Sequence, residues 1–564
     1  MPPKKPVYKS PFQHPYFPDF PGDGVGMTAR CKEEWAIVEI STTIRLKPEW
    51  WTKYKDQVIL EKWRKELQEQ SEEATPAVID YVFQELEWYE KLKNESGDLF
   101  QPMCHESIFA SLDGIQVIED DLKSLFRREA FKLLEEGVSE GKKDWHPNSN
   151  NQVLDLVHPS LYPLQYGLTP VLQSDGSTKP APFDKDLIKS VKPQVENFGV
   201  SERFQWLPSI FKVNKSGEHL ITIESYINNL HPVRCRSLYQ PIGDIFARCV
   251  PGINSCLSRA VSTEYVRIDV PYGEDETYDE EFLKEIRKYT GGDDEAEDGR
   301  DPWDIYEEIW DTREDHIKPL EFSYTAPPET KKFDITDFND LRVITKLANI
   351  VLTPESPEYP GGSWHVEGTI NEDIVATVLY YYDSENITES NLSFRMAFNE
   401  PQYEQGDDVF CRVRYGLENE QNLTHRLGSV EAKENRVTIF PNVFQHHVDA
   451  FKLSDPSKPG HRKILCFFIV DPYNEQVVAT DKVPPQQHDL WVDSLKGDGY
   501  LTKFPVELFN KITDLVDWPI TLEKAKKVRE ELIGERSETH ATADGNYDYE
   551  DLTPFTREFS LCEH

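Results

Sequence analysis

The sequence predicts an α+β protein with a β-sandwich or jelly-roll core, a large helical region before it and a helical segment after it. Three patterns lead there. Between about Lys47 and Glu136 apolar residues recur at three-to-four spacing with charges between them. From Leu341 to Asp471, β-branched and aromatic runs such as LRVITKLANIVL and RKILCFFIVDP are broken by Gly, Pro, Asn and acidic turns. Beyond Asp471 helical periodicity returns in PVELFNKITDLV and TLEKAKKVREELIGERSE.

Along the chain these patterns give four regions. Residues 1–200 form a helical amino-terminal region, opening with some thirty Pro- and aromatic-rich residues suited to lie extended over a folded body. Its aromatics Trp50, Trp51, Trp63, Tyr81, Phe83, Trp88 and Tyr89 read as a helix face packed on a core rather than a ligand cage, and 151–200 reads as an irregular covering segment. Residues 201–334 are mixed, with an edge strand in HLITIESYI, a buried helix in LYQPIGDIFARCV and an acidic insert at about 273–315. That insert lacks the EF-hand order of ligands and reads as solvated structure. Residues 335–475 are the β-rich core, and 476–564 hold the carboxy-terminal helices and an acidic tail.

Composition narrows the function. At 564 residues the chain exceeds one ordinary hydrophobic core, and its 29 Phe, 25 Tyr and 12 Trp argue for a folded body. A formal net charge of −39 repels nucleic acid and anionic lipid, leaving a small molecule or a basic peptide or protein as the expected partner. The eight cysteines show no CxxC pair, which excludes a thiolate zinc site of the usual spacing, and no apolar run reaches membrane-spanning length. An intracellular protein, cytoplasmic or nuclear, is expected. No G-x-S-x-G, P-loop or GxGxxG motif occurs.

The chemistry-bearing pattern is Trp364-His365-Val366-Glu367-Gly368, then His446, then Arg462. On a strand, His365 and Glu367 would project to one face. With His446 they supply two imidazoles and a carboxylate and leave coordination positions open, which suits non-haem Fe(II); Zn and Mn accept the same ligands. A cupin site would need a second His where Glu367 stands. Arg462 follows His446 by sixteen residues, and its planar fork suits the far carboxylate of a dicarboxylic cosubstrate. If Arg462 faces inward, Ile464, Cys466 and Phe468 share its face. Tyr380 and Tyr382, on one face of YYY, are candidate cosubstrate contacts, with Tyr381 pointing away; Asn349, Asn371 and Arg395 are candidate neighbours of the site.

The runs KLANIVLTPESPEYPGGSWHVEG, NEDIVATVLYYYDSENITESNLSFR, RVTIFPNVFQHHV and KPGHRKILCFFIVDP resemble the fungal DUF4246 family, itself similar to Fe(II)/2-oxoglutarate dioxygenases. The resemblance spans most of the chain. It implies a double-stranded β-helix at about 335–475, with His365, Glu367 and His446 as the catalytic Fe(II) ligands and Arg462 as the 2-oxoglutarate anchor. His446, in the H-x-V context of His446-His447-Val448, takes the distal ligand slot. The chain departs from the commoner pattern in using Glu367 and in its long interval to Arg462; the carboxylate favours hydroxylation over halogenation. The implied activity is hydroxylation or demethylation of an unidentified substrate, coupled to conversion of 2-oxoglutarate to succinate. A non-catalytic scaffold that keeps a metal site is the alternative.

Overall fold

The computed structural model describes residues 10–15, 27–184, 199–289, 300–497, 503–516, 518–540 and 559. The expected extended leading segment and acidic tail lie mostly outside the described residues, as does part of the acidic insert. Helices and antiparallel sheets are mixed throughout. The strands are β1 (Phe100–Pro102), β2 (Phe109–Ser111), β3 (Val153–Val157), β4 (Leu164–Gln165), β5 (Pro170–Leu172), β6 (Thr178–Pro180), β7 (Phe204–Gln205), β8 (Ser209–Val213) and β9 (Ile221–Ile223). After the acidic insert come β10 (Asp340–Leu352), β11 (Glu358–Tyr359), β12 (Ile374–Glu385), β13 (Asn391–Ala397), β14 (Thr424–Glu431), β15 (Val437–Pro441), β16 (Gln445–Val448), β17 (Phe451–Lys452) and β18 (Gly460–Val470).

The main sheet runs β1-β2-β15-β12-β18-β10-β8-β9, with β3 also on β10; a smaller sheet runs β14-β13-β16. The edge strand expected in HLITIESYI is β9. Sheet membership reaches well upstream of residue 335, because β1, β2, β3, β8 and β9 all extend the same sheet.

Both faces of the main sheet are covered, which is why its central strands read as continuous apolar runs. On one face the helix Arg236–Ala260 packs Ile242, Phe246, Cys249 and Ile253 against Val343, Leu347, Val378, Leu465 and Phe467. Gly252 permits that approach: a Cβ there would lie 2.6 Å from Ile439 Cδ1. On the other face Ile344, Leu379, Tyr381, Cys466 and Phe468 meet Leu392, Phe394, Met396, Leu427 and Val430 of the smaller sheet. The carboxy-terminal helix Leu522–His540 adds Val528 and Leu532 to this inner core.

The amino-terminal aromatics form their own core, with Trp50, Tyr81 and Tyr89 buried between helices such as Lys32–Arg45 and Pro76–Glu95. Beneath them lies a buried charge network. Arg267 reaches Glu85 at 2.7 Å, Glu34 at 3.5 Å and Glu106 at 3.7 Å, and Arg30 reaches Glu34 at 2.7 Å. Removing one partner strands the others in low dielectric, so Arg267→Met is expected to cost about 3–5 kcal/mol in urea unfolding. In the acidic insert, helices Glu280–Ile286 and Pro302–Trp310 pack Phe282 and Leu283 with Tyr306 and Trp310, so that part is folded. Among the described residues no helix is long and apolar enough to cross a membrane.

Candidate metal centre

The segment leading to Glu367 runs alongside β16 without joining a continuous strand. The sequence predicts His365 and Glu367 on a strand; instead, His365 makes one isolated bridge, to His446. The two residues exchange both backbone bonds, His365 N to His446 O at 3.1 Å and His446 N to His365 O at 2.9 Å. Directly opposed residues project to the same side, and the imidazole centroids lie 4.4 Å apart. Two residues on, Glu367 is locked by Asn442, which accepts from its N–H at 2.9 Å and donates to its carbonyl at 2.8 Å. The chain then turns away at Gly368, at φ +71°, where a Cβ would strike Ile374 Cδ1 at 2.7 Å.

One donor atom from each of His365, Glu367 and His446 lies within 4.8 Å of the others. Glu367 Oε1 is 3.7 Å from His365 Nε2 and 3.5 Å from His446 Nε2. Ligands at right angles around an ion bonded at about 2.1 Å sit roughly 3 Å apart, so small rotations would close the set. His365 Nδ1 lies 2.9 Å from the Ser363 carbonyl, which assigns that nitrogen the proton and leaves Nε2 free to ligate. Burial opposes ionisation of Glu367, but the two imidazoles facing it, with Lys346 beyond them, outweigh it and hold the carboxyl well below its usual range. Burial, reinforced by His365, pushes His446 down to about 4, so it is neutral. A carboxylate faced by two imidazoles fits a divalent metal. His365 is the exposed member, at 39% of its side chain against 5% for His446, so the set is reached from its side.

Arg462 shares this inner face. Its β18 neighbours alternate as expected, with Cys466 and Phe468 inside and Leu465 and Phe467 outside. The guanidinium is 1% exposed, donates to Ser390 Oγ, and lies 5.3 Å from the ring centres of both Tyr381 and Phe451. Among the described residues no carboxylate lies within ion-pair distance of it, and its Nε has no hydrogen-bond partner. A buried cation left this way is costly and complements an anion brought by a ligand.

The expected roles of two tyrosines require correction. The structure turns Tyr380 and Tyr382 to the outer face, where their hydroxyls donate to Asn435 at 2.9 Å and Asn349 at 3.4 Å. Tyr381, expected to point away, is the one beside Arg462. The register of β12 against β18 shifts between Ile374 and Ala376, and a strand apolar on both faces gives no polar alternation to reveal it.

Asn349 also faces outward, donating to Glu135 at 3.1 Å, while Asn371 anchors Ser201 N at 2.8 Å. Arg395 lies over Trp364 on the back of the smaller sheet. His447 turns to Trp364, ring centres 4.0 Å apart, and to Asp449 at 3.1 Å. Sequence reasoning misses Asn442 and Ser390. Only Asn442 carries a visible signal, the Pro-Asn that ends β15 just before His446.

A second trio, His146, Asp155 and His158, is equally close. There Asp155 already holds His146 Nδ1 at 2.8 Å and Arg529 at 3.2 Å, and Arg529 also reaches Asp144 at 3.0 Å. A guanidinium in that position satisfies the carboxylates and clamps the carboxy-terminal helix to β3.

Comparisons with known proteins yield a family but no activity. No curated protein matches the sequence. Solved structures that match include IDO from Bacillus thuringiensis, 13% identical over 24% of this chain and 47% of that one, TM-score 0.15. A bsmA homolog from Methylobium petroleophilum PM1 is 12% identical over 23% of this chain and 42% of its own, TM-score 0.14. The Fe(II)/(alpha)ketoglutarate-dependent dioxygenase TqaL is 15% identical over 30% and 52%, TM-score 0.15. This chain thus spans about half the length of the structures it matches, and scores this low carry no argument. The family described as "Protein of unknown function (DUF4246)" matches residues 76–494, and its amino-terminal domain, "Domain of unknown function DUF4246, N-terminal", matches 2–66. The chain belongs to the DUF4246 family.

Proposed function

We propose that the protein is an Fe(II)- and 2-oxoglutarate-dependent dioxygenase, a hydroxylase or demethylase whose two facing sheets form a double-stranded β-helix over about 335–475. One observation carries the reading: the His365, Glu367 and His446 set shares its inner face with Arg462, a fully buried guanidinium that no carboxylate of the described residues neutralises. His365, Glu367 and His446 would hold the metal, and Arg462 with Ser390 would hold the far carboxylate of 2-oxoglutarate. The metal, when bound, would let dioxygen act as the oxidant, with 2-oxoglutarate giving up two electrons: one oxygen atom would enter a substrate C–H bond and the other succinate, with release of carbon dioxide.

The chain's own part is placement. The reciprocal backbone bonds of His365 and His446 fix two ligands against each other, and Asn442 fixes the third. Ser363 orients the His365 ring. Tyr381, Phe451, Cys466 and Phe468 make apolar walls that exclude water, so a charge-assisted bond from Arg462 is stronger than it would be in solvent.

Incubation of the purified protein with Fe(II), ascorbate and 2-oxoglutarate should form succinate, slowly even without a substrate, and His365→Ala should not. No succinate from the wild type, together with unchanged metal content in His365→Ala, would overturn the proposal.

A further inference from the structure

Lys346 stands in the middle of β10, in a run otherwise β-branched or apolar. It pairs directly with Cys466 of β18, so it projects to the face that carries Arg462. Along the same ladder Ala348 opposes Ile464 and Ile350 opposes Arg462. The attachment points of the two cations are therefore four residues apart, or about 13 Å along the sheet. Between them lies a floor of Ala348 and Ile464, with the Tyr359 phenol within electrostatic reach of both cations.

On this face Lys346 and Ile464 are only half-buried. Among the described residues the Lys346 ammonium has no hydrogen bond or ion pair. Two carboxylates face it at longer range, Glu367 and Asp155. Both have other commitments, Glu367 to the imidazole set and Asp155 to Arg529 and His146.

We propose that Lys346 binds the primary substrate and that this substrate carries a carboxylate. The inference rests on the function proposed above: 2-oxoglutarate takes the metal and Arg462, which leaves Lys346 as one positive charge without an ion pair on the same inner face. A single ammonium neutralises one negative charge, so it fits a monocarboxylate better than a phosphate dianion. It repels an ammonium or methylated lysine, which removes a basic peptide tail from the substrate classes that composition leaves open. The apolar floor calls for a substrate with a hydrocarbon portion beside its carboxylate.

The test uses full-length protein loaded with Mn(II), which binds the same ligands, and calorimetric titration. With 2-oxoglutarate saturating, straight-chain monocarboxylates from acetate to octanoate are added, with the corresponding alcohols as neutral controls. At least one carboxylate should bind at one per chain and the alcohols should not. Lys346→Met should weaken that binding at least tenfold while changing 2-oxoglutarate affinity less than threefold, and Lys346→Arg should restore it. Equal binding of acids and alcohols, no second anion, or an equal loss of 2-oxoglutarate affinity in Lys346→Met overturns the assignment. Failure of the wild type to bind 2-oxoglutarate at all overturns the oxygenase reading itself.

Discussion

Arg462→Met is expected to separate stability from ligand binding. The ligand-free variant should melt no lower than the wild type, and its unfolding free energy should be equal or higher by up to about 1–4 kcal/mol, because an apolar side chain of similar length replaces an uncompensated buried charge. Its affinity for 2-oxoglutarate should fall by on the order of 10²-fold or more, the cost of truncating one partner of a buried, hydrogen-bonded charge pair. Thermal melting and calorimetric titration of the Mn(II) protein read the two quantities. Arg267→Met supplies the contrast. Both arginines are fully buried, but Arg267 is ringed by Glu34, Glu85 and Glu106, whereas Arg462 meets two aromatic rings and a serine hydroxyl. A structural role for Arg462 would make both substitutions destabilising.

The second large effect belongs to Glu367. Glu367→Ala removes the only anionic donor of the trio and leaves two neutral imidazoles. Affinity for Fe(II) or Mn(II) should drop by at least about 10²-fold, since loss of outer partners alone costs 10–100-fold at metal sites. Glu367→Asp keeps the charge on a stem one methylene shorter and should fall between the two. Metal content after dialysis against a buffered chelator measures all three proteins. Equal retention by Glu367→Ala would remove the carboxylate from the coordination sphere.

Much of this geometry is legible in the sequence because it depends on local rules. Parity along RKILCFFIV places Arg462, Cys466 and Phe468 on one face, and the H-x-V context implied by the family resemblance separates His446 from His447, which the structure turns to Asp449. The faces of Tyr380, Tyr381 and Tyr382 stay hidden because β12 is covered on both sides and its register slips between Ile374 and Ala376, leaving Val375 without a partner in that ladder. The strands before residue 335 are hidden for a different reason. β1, β2 and β3 are only three to five residues long, too short to show a period, and they exist because a long sheet edge elsewhere accepts their backbone bonds. Lys346 escapes notice because one lysine inside LRVITKLANIVL looks like a solvent-facing break until its partner across the ladder is known.

The place of β18 in the sheet has a further consequence, for the order in which the protein is made. Among the described residues β18 is the last strand in sequence, yet it lies at the centre of the main sheet, between β12 and β10. While the chain emerges from the ribosome, β10 is complete at Leu352 and β12 at Glu385, well before the strand that joins them begins at Gly460. Both then carry an unpaired, strongly apolar edge, the condition that invites pairing with other chains. Closing the sheet requires contacts distant in sequence, which form slowly. Because the same strand delivers Arg462, that guanidinium reaches its place beside Tyr381 and Phe451 only as the sheet closes.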